Sequence, residues 1–516
     1  MRHLVFPASA LLAALALLGG CGGGSSSSSD LAGFAPPRSL VYMEGTLRPT
    51  GSLKSDVDAI AQTVAGADNL GDLVIEELEE SAFDDGEPFD YATEVEPWLG
   101  ERASLTFKDL EDGDPANFVL AVESTDTEAT QEFIDTQTEG GEDPYRDASH
   151  EGVDFRVGGE EEQAVGVVGD FLVLAEDEGA FKEAVDASDG ESLGDEERFE
   201  SAFEAVSEAS LVDLYVDIGG IIEQSGDTID PQAREILGNA GIDPSDATAV
   251  ASATPGNDSI EVDLSSDLGG EEAPTGDAAE LLGSLPAGSF AAVAVSGFGK
   301  QIGEALDALD REGIPDTVPP NQLKKGLKQL GIDLDELAGS LRDGGVFAVG
   351  SNESRLGGAL VLSTEGKGAT EAIANIGQLL RQVEVGGVTA LSGKVEGFSI
   401  RSEDLGDKPL VIAAEEGRLV IGYGMPATLA ALATGSGRTL SDSSAYEAAV
   451  ASLGETPISG FADGPAALRL ADSMISPSDE DFEEAKKYLR SIEFLALGSV
   501  EQDELATAKL IIGLED

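Results

Sequence analysis

At 516 residues the chain is longer than one hydrophobic core ordinarily supports, and its 100 acidic against 30 basic side chains leave a formal net charge of −70 at pH 7. That surface argues against nucleic acid, whose phosphates need clustered Lys and Arg to release their counterions, and against electrostatic adhesion to anionic lipid headgroups. A hydrophobic content of 41% excludes wholesale disorder, while one cysteine and two histidines exclude disulfide frameworks, thiol proteases and His-rich zinc sites.

The chain opens on a short positive segment, Met1-Arg2-His3, followed by an apolar stretch over residues 4–18 that is too short and too Ala-rich for a spanning helix. The stretch ends in Leu18-Gly19-Gly20-Cys21. Those four residues resemble the lipobox of bacterial lipoproteins. The resemblance implies a signal peptide over residues 1–20, cleavage between Gly20 and Cys21, and acylation of the Cys21 thiol with diacylglycerol, palmitate included. Residues 22–29 are Gly and Ser only, which behave as a random coil. Residues 21–35 are therefore expected to be a lipidated cysteine and tether, with Pro36-Pro37 opening the folded part. Lipid on Cys21 would be the only membrane attachment, since no later apolar run approaches the ~20 residues that span a bilayer.

Alternation and helical spacing then organise the chain. Residues 40–43 read as a strand, and Val57, Ile60, Ala61 and Val64 form the apolar face of a helix. A second helical pattern carries Leu73, Val74 and Leu78, and Pro97-Trp98-Leu99-Gly100 makes a turn into a strand over residues 104–107. A strand over 118–122 precedes a helix bearing Ala129, Phe133 and Ile134; residues 153–157 alternate as a half-buried strand. Gly169-Asp170 suits a tight hairpin between strands 164–168 and 171–174. Two helical stripes, around Phe181 and around Phe199 and Phe203, lead to a strand over 211–216 and a hairpin, 248–253 with 260–264.

This order recurs near a spacing of 240–250 residues. Residues 290–295, 346–349, 360–362, the helix with Ala369 and Ile373, 396–400, the hairpin 410–413 with 419–421, the Tyr446, Ala449, Val450 and Leu453 stripe, and the pair 494–497 with 506–512 follow one another as the first set did. The expected fold is α+β: two tandem copies of one module, 36–268 and 276–516, each a mainly antiparallel sheet covered by helices, joined by a linker over 269–275. Residues 36–268 hold 60 acidic and 10 basic side chains, residues 276–516 hold 37 and 19. The less charged second copy is the better expected binding face.

At residues 37–44, and at Pro97-Trp98-Leu99-Gly100, the sequence resembles an uncharacterised domain-of-unknown-function family of bacterial envelope proteins, which share a Pro-to-strand opening and a Trp-Leu-Gly turn. The second copy lacks the Trp and has Ser340-Leu341-Arg342 instead. The family implies location and architecture and supplies no catalytic residue.

A search for chemistry finds little. His150 is the only histidine beyond the leader, and its place at a loop or strand start reads as structural. No Gly-x-Ser-x-Gly elbow or phosphate-binding Gly-Lys-Ser/Thr loop is present; Gly435-Ser436-Gly437, Gly299-Lys300, Gly366-Lys367-Gly368 and Gly393-Lys394 are incomplete. The acidic runs at 84–87, 109–114, 160–162 and 195–197 fail the calcium-loop template and imply only weak, nonspecific divalent-cation binding. Trp98 reads as a turn or core anchor. The expected protein is a non-enzymatic cell-envelope lipoprotein without cofactor or metal, displayed outside a membrane and binding an envelope protein or ligand. The alternatives are a carboxylate-dependent hydrolase of envelope glycans, and a carrier of apolar molecules.

Overall fold

The computed structural model describes residues 29–69, 71, 75, 90–111, 114–139, 144–158, 162–203, 206, 209–225, 247–267, 277–313, 319–382, 387–391, 395–415, 417–432, 437–476, 479–502 and 505–515. Cys21 and the expected leader, the helix with Leu73, Val74 and Leu78, the linker over 269–275, and Ser436 lie outside the described residues. The chain divides into two compact units, residues 1–272 with 501–509 and 516, and residues 273–500 with 510–515.

Unit 1 contains, in chain order, α1 Ser29–Ala32, β1 Val41–Thr46, α2 Gly51–Ala65, α3 Tyr91–Glu94, β2 Leu99–Glu111, β3 Asp114–Ser124, α4 Thr127–Thr138, β4 Arg146–His150, β5 Val153–Gly158, β6 Gln163–Val168, β7 Phe171–Ala175, α5 Glu178–Asp189, α6 Glu197–Phe203, β8 Val212–Asp217, α7 Ile218–Ser225, β9 Thr248–Pro255 and β10 Ser259–Ser266. Every pairing is antiparallel, in the spatial order β4-β5-β6-β7-β3-β2-β1-β8-β9-β10. Short turns make this possible: Gly169, at φ 58°, takes the left-handed conformation that the two-residue β6–β7 turn needs.

The sheet is covered on both faces where β3 and β7 run through it. Leu120, Val122, Leu172 and Leu174 point into one core with Trp98 and with Phe133 and Ile134 of α4. Val119, Ala121, Val173 and Ala175 point into a second core with Phe181, Ala184 and Val185 of α5. The unbroken apolar runs of these strands, rather than a strict alternation, are the sequence counterpart of burial on both sides. Asp126 and Asp177 accept backbone N–H bonds at the starts of α4 and α5, so part of the acidic excess serves as helix caps.

The expected tether over 21–35 needs correction at its end. Leu31, Ala32 and Ala35 have no exposed surface and Phe34 is buried; Phe34 meets Phe171 at a ring-centroid distance of 4.9 Å. These residues belong to the fold because they are apolar at one-turn spacing, a signal the preceding Ser run hides.

Unit 2 continues with α8 Ala278–Gly283, β11 Ser289–Val295, α9 Phe298–Glu312, α10 Leu323–Gln329, α11 Leu334–Ser340, β12 Leu341–Val349, β13 Gly357–Thr364, α12 Gly368–Gln382, β14 Val388–Ala390, β15 Glu396–Ile400, β16 Leu410–Glu415, β17 Arg418–Tyr423, α13 Met425–Leu432, α14 Ser444–Ser452, β18 Ile458–Asp463, α15 Gly464–Met474, α16 Glu480–Leu489, β19 Ile492–Gln502 and β20 Leu505–Leu514. Its pairing order is β14-β15-β16-β17-β13-β12-β11-β18-β19, again antiparallel throughout. The turns before α6 and α14 also share one device: Asp195 accepts from the backbone N–H and hydroxyl of Ser192, and Asp442 does the same for Thr439.

Phe34→Ala is expected to cost ~3 kcal/mol in urea unfolding of the chain from Gly22 onward, the loss typical of a buried aromatic ring. An unchanged midpoint and slope would return residues 31–35 to the tether.

Candidate functional site

Strand β8 presents Asp213, Tyr215 and Asp217 to one face, since alternate residues share a side. Its neighbours in register are Glu44 and Tyr42 of β1, which stand opposite Asp213 and Tyr215, and Ser252, Val250 and Thr248 of β9, which stand opposite Asp213, Tyr215 and Asp217. Helix α6 covers part of this face. Phe199 packs on Tyr215 at 5.0 Å and on Tyr42 at 5.4 Å between ring centroids, and Phe203 stacks on Phe199.

Some of these polar groups are fully engaged. The Tyr42 hydroxyl donates to Glu44 Oε2 at 2.8 Å, and Arg102 donates to Glu44 Oε1 at 3.3 Å. Arg198 Nη2 donates to Asp217 Oδ2 at 2.6 Å and Arg198 Nε to Glu196 Oε2 at 3.2 Å, while Gly220 N–H donates to Asp217 Oδ1. Others are not. The buried side-chain polar atoms without a hydrogen-bond partner among the described residues are Asp213 Oδ1, Tyr215 Oη and Thr254 Oγ1, all on β8 and β9. Each such atom costs ~1–3 kcal/mol relative to a satisfied one. Three on adjacent strands mark a place where packing has not been optimised for stability alone.

Burial pushes the Asp213 carboxyl up to about 7; the Ser210 hydroxyl, donating at 2.7 Å, opposes this and the charge of Glu44 adds to it. Burial also raises Glu44, against the pull of Tyr42 and Arg102. Tyr215 is held well above its ordinary value, first by burial and then, against Arg198, by Asp217, Glu196 and Asp267.

Beside this face lies a cleft of about 450 Å³, lined by Glu197, Arg198, Ser201 and Ala202 of α6, Thr248 and Val250 of β9, Ser265 and Ser266 of β10, and Asp267. Tyr215 sits opposite Val250 and within electrostatic reach of Arg198 and Asp267, but it has no exposed surface and is not among the residues that line the cleft. A second cleft, about 410 Å³, includes Asp147, Asp154 and Arg156, but Arg156 is spent on Asp135 at 2.8 Å and Thr138 at 3.1 Å.

The corresponding face of unit 2 is apolar. Ala292 stands opposite Phe461 there, as Tyr42 stands opposite Tyr215, and Phe461, Ala294, Phe494 and Ala496 fill a core with Tyr446. Lower charge made unit 2 the expected binding face, yet the unpaired groups are in unit 1. Asp213, Tyr215 and Arg198 were not singled out by sequence reasoning. A usable signal was present: Arg198 is one of only 10 basic residues against 60 acidic ones over 36–268, and Val212-Asp213-Leu214-Tyr215-Val216-Asp217 alternates with acids on the same side as a tyrosine.

The residues named from sequence fall elsewhere. His150 ends β4 and meets Asp186 at 2.6 Å, on the surface. Trp98 is buried, donates to Glu94 O at 2.8 Å and packs on Phe133, a core anchor. In the acidic run at 109–114, Glu111 and Asp114 flank the β2–β3 turn, and Asp109 accepts from Asn117 and Gln224. In the run at 195–197, Asp195 is a cap, Glu196 holds Arg38 N–H and Arg198, and Glu197 lines the cleft. No group of three or more metal-ligating side chains among the described residues could hold an ion. No helix among them is long and apolar enough to cross a membrane.

Fold and cleft together define an α+β protein of mainly antiparallel sheet with a small cleft that has acids at its rim. The chain matches the family model described as "Protein of unknown function (DUF3352)" over residues 70–504 and belongs to that family. No curated protein matches it. Among solved structures it is similar to crystal form III of TP0453, at 14% identity, covering 50% of this chain and 86% of that one with a TM-score of 0.26, too low to carry an argument.

The raised Asp213 value fixes the sign of a pH effect. Between the ordinary carboxylate range and about 7, the folded state holds a proton that the unfolded chain has released, so this group's contribution falls as pH rises through that window and is flat above it. Asp213→Asn removes the loss. The variant is expected to gain on the order of 3 kcal/mol over the native chain at pH 8 relative to pH 4, read from unfolding curves at both values. A difference independent of pH would contradict this environment for Asp213.

Proposed function

We propose that the protein is a non-enzymatic, lipid-anchored binding protein of the bacterial cell envelope, whose first unit takes a small polar ligand in the cleft between α6, β9 and β10. The observation that carries the reading is the set of buried atoms without a partner among the described residues, on β8 and on β9, the strand whose Thr248 and Val250 line the cleft. Unsatisfied buried polar groups are costly, and a ligand that supplies the missing hydrogen bond recovers the cost on binding. The size of the cleft falls within the range of small-molecule sites.

Two considerations favour binding over turnover. Glu44 and Asp213 face each other as a carboxyl pair, the arrangement a glycan hydrolase needs, but neither lines the cleft, and both Glu44 oxygens already accept hydrogen bonds. The apolar-carrier alternative draws on exposed Val293 and Val346, which are cross-strand partners on the surface of unit 2, where a bound chain would stay in contact with water. The equal strand order of the two units supports one module used twice, with the polar face kept in one copy and an apolar core in the other. Envelope display rests on the lipobox-like Leu18-Gly19-Gly20-Cys21, which would tether both units through Cys21.

The test pairs location with binding. Recovered from the cells that make it, the chain is expected in the membrane fraction, beginning at an acylated Cys21; the soluble chain from Gly22 onward is expected to bind at least one member of a panel of amines, sugars, amino acids and phosphates. Ser201→Trp, which fills the cleft from the exposed side of α6, is expected to abolish that binding. A chain still bearing Met1 would overturn the anchor, and binding indifferent to Ser201→Trp would overturn the cleft.

A further inference from the structure

Two groups on the walls of the cleft have hydrogen bonds to give and nothing among the described residues to take them. Arg198 donates from Nε to Glu196 and from Nη2 to Asp217, along one edge of its planar guanidinium. The Nη1–Nη2 edge keeps both of its donors, and the side chain lines the cleft with 35% of its surface exposed. The other group is Thr248. It also lines the cleft, is only 3% exposed, and carries a hydroxyl with no partner among the described residues. A polar side chain buried to this degree is ordinarily satisfied. The Thr248 backbone N–H donates to Asp267 Oδ1, and its carbonyl accepts the Asp267 N–H at 3.2 Å. That reciprocal pair fixes the Asp267 carboxylate beside Thr248 and leaves Oδ2 without a partner among the described residues.

Unspent donors and a fixed carboxylate in one cleft select among small polar ligands. A plain anion meets a guanidinium whose charge Glu196 and Asp217 already offset, with Glu197 and Asp267 close by to repel it. A plain amine suits the acids but leaves the Arg198 edge and the Thr248 hydroxyl with nothing to donate to. No aromatic ring among the lining residues offers a face to a sugar. A zwitterion answers donors and acids alike. Resting on the cleft proposed above, we infer that its ligand is a small α-amino acid, its carboxylate held by the Nη1–Nη2 edge of Arg198 and the Thr248 hydroxyl, its ammonium by Asp267 and Glu197. Val250 and Ala202 supply an aliphatic wall for a short side chain. Two-pronged guanidinium–carboxylate bonds are among the strong ones, and a buried hydroxyl beside them adds a donor for which water competes little. The acidic rim attracts any cation; the two sets of donors are what a cation cannot use.

Calorimetry on the chain from Gly22 onward, at fixed salt, compares L-valine with two probes that each lack one charge: isobutylamine, without the carboxylate, and 3-methylbutanoate, without the ammonium. Glucose and inorganic phosphate complete the set. L-Valine is expected at one site, tighter by about tenfold than either single-charge probe. Thr248→Val keeps the branched shape that suits a strand and removes only the hydroxyl. It is expected to weaken L-valine about tenfold, the worth of one hydrogen bond to a charged group, and to leave isobutylamine unchanged. Asp267→Asn, which keeps an oxygen for the Thr248 N–H, is expected to weaken L-valine without weakening 3-methylbutanoate. Isobutylamine or 3-methylbutanoate binding as tightly as L-valine, or L-valine indifferent to both substitutions, would overturn the amino acid. Glucose or phosphate bound in place of L-valine, and lost in Ser201→Trp, would overturn it too while leaving the cleft standing. Binding that Ser201→Trp does not touch, or no binding by any probe, would overturn cleft and amino acid together.

Discussion

The structure of unit 1 turns on one strand that buries the side chains a strand usually shows to water. Along β8, Asp213, Tyr215 and Asp217 share one face, and Tyr215 is enclosed there by Phe199 and Phe203 of α6. Burying acids is tolerable only when charge and hydrogen bonds are supplied, and the chain does so at both ends of the row: Arg102 and Tyr42 serve Glu44 opposite Asp213, and Arg198 serves Asp217. Asp217 also starts α7 by accepting the Gly220 N–H, so the same carboxylate closes the strand, caps a helix and anchors α6. Between those satisfied ends, Asp213 and Tyr215 are left with atoms that have no partner among the described residues. The cleft lies beside this row, walled by Arg198 of α6 and by Thr248 and Val250 of β9.

Unit 2 has the same strand order without such unpaired atoms among its described residues. Its β18 ends in Asp463, which accepts the Ala466 N–H at the start of α15 as Asp217 does for α7, yet Phe461 replaces the tyrosine and Ala292 and Ala294 face it from β11. A fully apolar packing is therefore available to this strand order. Its absence from unit 1 is an expense in stability that a structural role does not explain.

Much of the architecture could be read from residues alone, because local signals and tertiary structure agreed. The β6–β7 hairpin was visible in Gly169-Asp170 between two apolar runs, and the β9–β10 hairpin in the pairing of 248–253 with 260–264. Trp98 and the Phe133 stripe announced the core they share. Short elements escaped: α1 is hidden behind a Ser run, and β4 is a polar strand, Arg146–His150, held by pairing with β5 rather than by propensity. The site was the least legible part. Acids at alternate positions of a strand read as the solvent face, and only the placement of α6 over them, a contact between distant segments, turns that face inward. Charge density likewise pointed to unit 2, because a sum over residues cannot say which of them are buried without a partner.

The central claim, that β8 carries a buried hydroxyl with no partner among the described residues, is tested most directly by chemical unfolding of Tyr215→Phe in ligand-free buffer. The ring packing on Phe199 is kept and only the unpaired oxygen is removed, so the account predicts a variant more stable than the native chain by ~1 kcal/mol. A variant less stable by a similar amount would mean that the hydroxyl is satisfied in the folded protein, and the case for the cleft would fall with it.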